Sequence, residues 1–253
     1  MQFIRCSPFS SPIFHGCLAI LILAGKGIAA EPLGWGNVWQ ERMSIGQAQL
    51  DEAYNLAKAG KADQALAKID TIINSNPDNW RPHLLKSAVL VLLKRNDLAL
   101  EELDTSIRLA RKNNVSPELL AELQASKARS CLDAQRYGDA RRALQDAVKL
   151  QPASATELND LAWLLATCPD NRVRDPRRSL ALAKKACSLD QWSNAFSLDT
   201  LAAAYAANGD FANAVKTQQS AIGRLSGDDR NFHVSEMQRR LQLYSARQPY
   251  VGG

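Results

Sequence analysis

The chain has 253 residues, of which 46% are hydrophobic and only 6% aromatic, and it carries a formal net charge of +5. Alanine and leucine dominate the apolar set, which favours helices packed through small residues over a β-sandwich built from β-branched and aromatic strands. Arg5 and Lys26 lie in a first stretch of 30 residues without an acid, so the remainder holds 29 basic against 26 acidic residues, too balanced for the dense basic face of a nucleic-acid reader and not acidic enough for a solvating tail.

The first element is an address. Cys17–Ala24 reads CLAILILA, apolar and uncharged, but well short of the roughly 20 residues that span a bilayer. Arg5 precedes it and Ala29-Ala30 follow it, so residues 1–30 read as a signal peptide cleaved after Ala30. A periplasmic or secreted chain, with no membrane insertion after cleavage, is the expectation. Lys26, between the apolar run and the site, keeps open the alternative of an uncleaved membrane anchor. Cys17 precedes the apolar run, so no lipid anchor is expected. Residues 31–45 form a lead-in. Within it Trp35 and Trp39, four apart, either cover the open end of the first repeat or belong to a frayed terminus with one indole docked.

From Gly46 onward small residues recur at an interval of 12: Ala53 and Ala65, Ser87 and Ala99, Ala128 and Ala140, Ala202 and Ala214. Ala162 and Ser179 are 17 apart, which fits the same scheme if five residues are inserted in the polar, proline-flanked loop Pro169–Pro176. Further columns stand at spacings of 3, 4 and 7: Leu56, Leu90, Cys131, Leu165 and Tyr205, then Ile69, Leu103, Leu144, Ala183 and Gln218, then Ile72, Ser106, Ala147, Ala186 and Ala221. Those spacings are one face of an α-helix. Two antiparallel helices approach closely only where small side chains stand at their crossing. A single hairpin cannot bury its apolar stripe, so such hairpins must stack.

These columns resemble the tetratricopeptide-repeat (TPR) pattern, a 34-residue unit with small residues at positions 8, 20 and 27 and often proline at 32. Pro77 and Pro152 stand at that last position. The resemblance covers roughly residues 46–225 and implies an all-α, right-handed superhelix (α-solenoid) of about five helical hairpins: 46–79, 80–114, 117–154, 155–191 and 195–225. The fifth matches best, with Leu201, Ala202, Tyr205, Gly209, Phe211, Ala214 and Ala221 in their columns. Repeats two and three are separated by seven extra residues, two helical turns, so the flanking helices can lengthen while keeping their facing stripe. Ser116-Pro117 supplies an N-cap and a first-turn proline. Residues 226–253 hold a linker, a capping helix and a tail. Val234, Met237, Leu241 and Tyr244 share one face of that helix, roughly Phe232–Ser245, and would cover the last repeat; the alternative is a partner-binding amphipathic helix.

No catalytic, cofactor-binding or metal constellation stands out. The three histidines are His15, His83 and His233, and there is no HExxH, glycine-rich phosphate loop or CxxC. His83 reads as a surface residue. Cys131, Cys168 and Cys187 survive cleavage; Cys131 reads as a small core residue. Cys168 and Cys187 fall at opposite ends of a hairpin, on the order of 15 Å apart, which is too far for a disulfide. Similarity to secreted bacterial repeats that carry both, in the phrases LAWLLATCPD and AKKACSL, implies a bridge instead. Arg172, Arg174, Arg177 and Arg178 cluster near the inserted loop, with Asp170 and Asp175 among them to neutralise it.

The resemblance also implies a binding mode. In TPR arrays the first helix of each hairpin lines a concave groove, its positions 2, 5, 9, 12 and 13 pointing inward. Here the telling occupants are Tyr54, Lys58, Arg81, Arg129, Asn159, Trp163, Phe196 and Asp199. TPR domains that clamp a C-terminal carboxylate use Lys and Asn at positions 5 and 9. This chain has Leu50 and Tyr54, Leu84 and Ala88, Ala125 and Arg129, Asn159 and Trp163, Asp199 and Ala203, so no such clamp is expected. The expectation is a non-catalytic scaffold of the cell envelope, binding an unidentified protein or extended peptide. Trp163 with Arg129 would grip it through an aromatic ring and a charge, unless Trp163 packs between neighbouring repeats.

Overall fold

The computed structural model describes the backbone of residues 36–252 and the side chains from residue 47 onward, except that of residue 228. The signal segment, its cleavage site and Trp35 lie outside the described residues, as does the side chain of Trp39. The described residues form helices and no strand. In chain order these are α1 (Gly36–Lys58), α2 (Ala62–Ser75), α3 (Trp80–Leu92), α4 (Asn96–Lys112), α5 (Pro117–Asp133), α6 (Tyr137–Leu150), α7 (Ala155–Thr167), α8 (Pro176–Leu189), α9 (Ala195–Ala207), α10 (Phe211–Arg224) and α11 (Gly227–Ser245). The fold is an all-α array of helical hairpins.

Local sequence fixes the helix ends. The Asn79 side chain accepts from Arg81 N–H, Ser116 from Leu119 N–H, Asp175 from Arg178 N–H, and Asn194 from Phe196 N–H and Ser197 N–H. Each such cap satisfies an orphan donor and is worth about 1 kcal/mol. Pro117 and Pro176 open α5 and α8, where a missing N–H costs nothing. At four hairpin turns one residue takes a positive φ: Gly60 (75°), Lys94 (59°), Gln135 (56°) and Gly209 (79°). The residue after it bonds back across the turn in three of these, Lys61 to Leu56 O, Arg95 to Leu90 O and Asp210 to Tyr205 O, at 2.9, 2.9 and 3.0 Å. This is a Schellman-type closure that satisfies late helical carbonyls.

The small columns are where the hairpins close. Ala53, Ala65, Ala99, Ala128, Ala140, Ala162, Ala202 and Ala214 are all fully buried, and Ser87 and Ser179 nearly or wholly so. At two of the columns a serine in place of alanine uses its hydroxyl. Ser179 Oγ donates to Ala162 O at 2.7 Å, joining α8 to α7, and Ser106 Oγ donates to Trp80 O at 3.0 Å, joining α4 to α3. The extra residues between the second and third repeats extend both neighbours. α4 and α5 each run 17 residues, against 14 for α2 and 13 for α3.

The chain divides into two compact units, whose described parts are residues 36–134 and 135–252. The first holds α1 to α5. Its core is built on Leu50, Ile69, Leu85 and Val89 at one end, and on Trp80, Leu84, Leu103, Ile107 and Leu123 further along. The second holds α6 to α11, with a core around Trp163, Leu198, Leu201, Met237, Tyr244 and Tyr250. There α9 is apolar nearly all round, because it packs against α7, α8 and α10 at once. α11 packs on α10, with Met237 and Tyr244 fully buried and Phe232 exposed.

The inserted loop of the fourth hairpin is tied to its own frame. Val173 is buried, and Asp175 N–H donates to Leu165 O at 2.9 Å. Arg174 Nη1 donates to Cys168 O at 3.0 Å, and Arg172 pairs with Asp170 through two nitrogens. The hydrogen bonds from Arg172 hold the Asp170 carboxyl below its ordinary value. All three described cysteines are buried and in no disulfide, so the structure takes the unbridged side of the two readings of Cys168 and Cys187. Cys187 instead donates from Sγ to Ser197 O at 3.3 Å. Burial, helped by the Asp190 charge, pushes its thiol up to about 12.

Candidate partner-binding surface

In the 36–134 unit the expected groove residues sit on α1, α3 and α5. α1 and α3 touch directly. On α1, Lys58 Nζ stands 5.5 Å from the centre of the Tyr54 ring. The two are one turn apart, so a cation lies over an aromatic face and both remain accessible. On α3 the Arg81 guanidinium sits 5.5 Å from the Trp80 ring, and burial lowers its pKa from the ordinary value. Arg129 on α5 is half-buried. It stands one turn from Asp133, whose carboxyl is pushed up by burial while the Arg129 charge pulls the other way.

His83 is not the simple surface residue its sequence context suggests. Its side chain is 12% exposed, and Nδ1 lies 2.6 Å from Glu102 Oε2. Lys86 bridges Glu102 and Asp70, at 2.9 Å to each, so α2, α3 and α4 share one charged network. Burial works against the Glu102 charge, but hydrogen bonds from His83 and Lys86 outweigh it and hold the carboxyl below its ordinary value.

In the 135–252 unit the structure buries three of the expected groove residues, Asn159, Trp163 and Asp199, and half-buries Phe196. Asp199, on α9, is 5% exposed. It takes a bidentate pair from Arg240 of α11, Nε to Oδ1 at 2.9 Å and Nη2 to Oδ2 at 2.7 Å. Gln218 Nε2 donates to the same Oδ1 at 2.6 Å and to Met237 O at 3.2 Å. The planar fork matches the carboxylate and holds register as well as charge. Trp163, on α7, is 9% exposed. The Arg240 guanidinium lies 5.3 Å from its ring, and the Tyr250 ring lies 5.9 Å away, tilted by 39°. Phe196 meets His233 edge-on at 5.4 Å. Asn159 is buried, its amide nitrogen 3.4 Å from Asp160 Oδ1 and its oxygen without a partner.

Tyr250 belongs to the chain's own tail. Helix α11 ends at Ser245, and Arg247 adopts φ 57°, with Gln248 N–H bonding back to Leu243 O. The segment then runs without helix past Pro249. Tyr250 inserts beside Trp163, and Gly252 N–H donates to Thr167 O, the last residue of α7, at 2.8 Å. That carbonyl is one of the orphans every helix end leaves. The sequence pattern misses this arrangement because the Asp199–Arg240 and Thr167–Gly252 pairs obey no period. A Tyr after a Pro beyond the last helix is its faint trace.

Among the described residues no group of three His, Cys, Asp or Glu side chains is placed to hold a metal ion, and no helix is long and apolar enough to cross a membrane. Antiparallel hairpins closed on alanine, with aromatic and cationic side chains on their first helices, define a helical-repeat scaffold. Residues 50–114 and 126–167 match the tetratricopeptide-repeat family model, so that part of the chain is similar to tetratricopeptide-repeat proteins. Such proteins act as protein–protein interaction scaffolds. No curated protein sequence matches the chain.

Solved structures do. MamA is 17% identical with a TM-score of 0.56, covering 71% of this chain and 91% of that one. A MamA fragment from Desulfovibrio magneticus RS-1 is 16% identical with a TM-score of 0.57, covering 71% and 94%. YrrB, described as a TPR protein with an unusual peptide-binding site, is 16% identical with a TM-score of 0.54, covering 76% and 89%. At such identities the likeness is one of fold.

Proposed function

We propose that this chain is a non-catalytic adaptor of the cell envelope that binds an extended protein segment along the first helices of its repeats. The observation that carries this reading is the Tyr54–Lys58 pair on α1, with Arg81 on α3, on helices in direct contact. An aromatic face with adjoining cations is a surface for a partner segment carrying acidic and apolar side chains, the ring supplying contact area and the cations orienting the carboxylates. Arg129 on α5 extends the cationic series within the same unit. YrrB, with its peptide-binding site, is a precedent for peptide recognition on this fold.

The envelope location rests on the sequence: Arg5, the apolar run to Ala24 and the small residues Ala29 and Ala30. Lys26 favours a second reading, an assembly factor held to the membrane by an uncleaved N-terminus. N-terminal sequencing of the mature protein separates the two, with Glu31 as the expected first residue. For binding, crosslinked envelope partners are captured with the full chain and with a Lys58→Glu, Arg81→Glu variant. Loss of a reproducible partner in the variant supports the surface; an unchanged partner set in a folded variant sinks it.

A further inference from the structure

We propose that the C-terminal segment Pro249–Gly252 is a displaceable internal ligand, and that the site it fills on α7 and α11 receives extended partner segments presenting a tyrosine. This rests on the interaction reading above and names, for the second unit, what is recognised and what regulates access.

The tail is seated as a bound peptide would be. It is not helical, and it reaches the site through a reversal at Arg247. One side chain goes in. Tyr250 is 8% exposed, while Arg247, Gln248, Pro249 and Val251 stay exposed. The receiving surface is made of the Trp163 ring at 5.9 Å and the Arg240 guanidinium at 5.5 Å from the Tyr250 ring. Arg240 completes a triangle with the two rings, since Trp163 lies 5.3 Å away, and Asp199 fixes its fork. The slot is thus held by groups that do not belong to the tail. Beyond the ring, the segment makes one backbone hydrogen bond, Gly252 N–H to Thr167 O. That contact reads backbone, not sequence, so an extended segment of another protein can repeat it.

The attachment is light. The segment brings no ion pair of its own, and apart from the buried Tyr250 and Gly252 it is exposed, the kind of stretch that opens first in a folded protein. Pro249 restricts the free tail and lowers the entropy lost on docking. Tethering supplies most of the occupancy. A short flexible tether gives an effective concentration of about 1 mM. If the free segment binds with a Kd of about 100 μM, the tether weakens a competing ligand about tenfold.

The test uses the full chain, a variant ending at Gln248, and the full chain with Tyr250→Ala, each checked for helix content. The probe is a synthetic peptide with the sequence of residues 247–253, titrated calorimetrically. The shortened chain is expected to bind it saturably, one to one. The full chain should bind at least tenfold more weakly, and the Tyr250→Ala chain should recover most of the difference. A peptide with alanine in place of the tyrosine should lose at least tenfold in affinity for the shortened chain. No saturable binding to a folded shortened chain, or equal binding of the alanine peptide, overturns the proposal. Cooperative loss of the fold in both variants also overturns it, because the tail would then be a structural staple. Partner capture that depends on Lys58 and Arg81 survives any of these failures, so the broader reading falls separately.

Discussion

Asp199 and Arg240 show how a residue on a binding face can be spent on the fold. Asp199 occupies a first-helix position that points toward ligand in related arrays, yet Arg240 reaches it from 41 residues away. Both are buried, with side-chain exposures of 8% and 9%. Removing one partner from such a pair leaves an uncompensated buried charge and costs about 3–5 kcal/mol. Asp199→Ala is expected to lose that much in urea unfolding, and a loss under about 1 kcal/mol, the scale of an exposed pair, would contradict the pairing.

Glu102 gives a pH-dependent counterpart. Its folded pKa lies below its ordinary value, so its contribution is present above the unfolded carboxylate value of about 4.3 and is lost as pH falls through the lower folded value. Glu102→Gln should therefore cost about 1–2 kcal/mol near neutral pH, and the gap to the parent chain should close as the pH drops through the carboxylate range. The cysteines provide a chemical check. Cys131, Cys168 and Cys187 are buried and in no disulfide, and burial raises the Cys168 and Cys187 thiols, so the reactive thiolate is scarce there. Iodoacetamide at about pH 8, just below an ordinary thiol's pKa, should leave all three unmodified in the folded chain and label all three after unfolding without reductant, as read by mass. Labelling of Cys131 alone would establish the bridge.

At the scale of elements, the hairpin turn decides. Gly209 has φ 79°, and a Cβ there would meet nothing within 4 Å. Gly209→Ala thus isolates the backbone penalty of the left-handed region, about 1–2 kcal/mol, with no clash added. Lys94 holds φ 59° at the equivalent turn of the second repeat, so Lys94→Gly should shift stability the other way or not at all. Thermal unfolding of the pair checks both. The helices themselves are legible in the sequence because their reasons are local. Asn79, Ser116, Asp175 and Asn194 cap, Pro117 and Pro176 begin, and alanines twelve apart mark the crossings. The inserted loop is legible as a loop, with Asp170 set against Arg172.

At the scale of the whole molecule, periodicity identifies a repeat array but says little about where its ends go. The columns at Ala53, Ala99, Ala162 and Ala202 announce the hairpins, because each must meet the same packing constraint. Nothing repeats the path of residues 246–252, so Trp163, Asp199, Arg240 and Tyr250 can be read from sequence only one at a time. His83 misleads for the same reason: its partner Glu102 is on the next helix, outside any local pattern. The candidate surface is legible as to its helices and incomplete as to its accessibility, since exposure depends on what the rest of the chain lays over it.

The chain has five tryptophans, and Trp163 has a phenol and a guanidinium against it. A phenol 5.9 Å from an indole passes excitation to it efficiently, and a cation beside the ring shifts the colour of its emission. Undocking the tail removes the phenol and leaves the cation. The light emitted on exciting tyrosine should therefore fall while the indole becomes wetter and redder, giving this protein a native optical gauge of whether its groove is occupied.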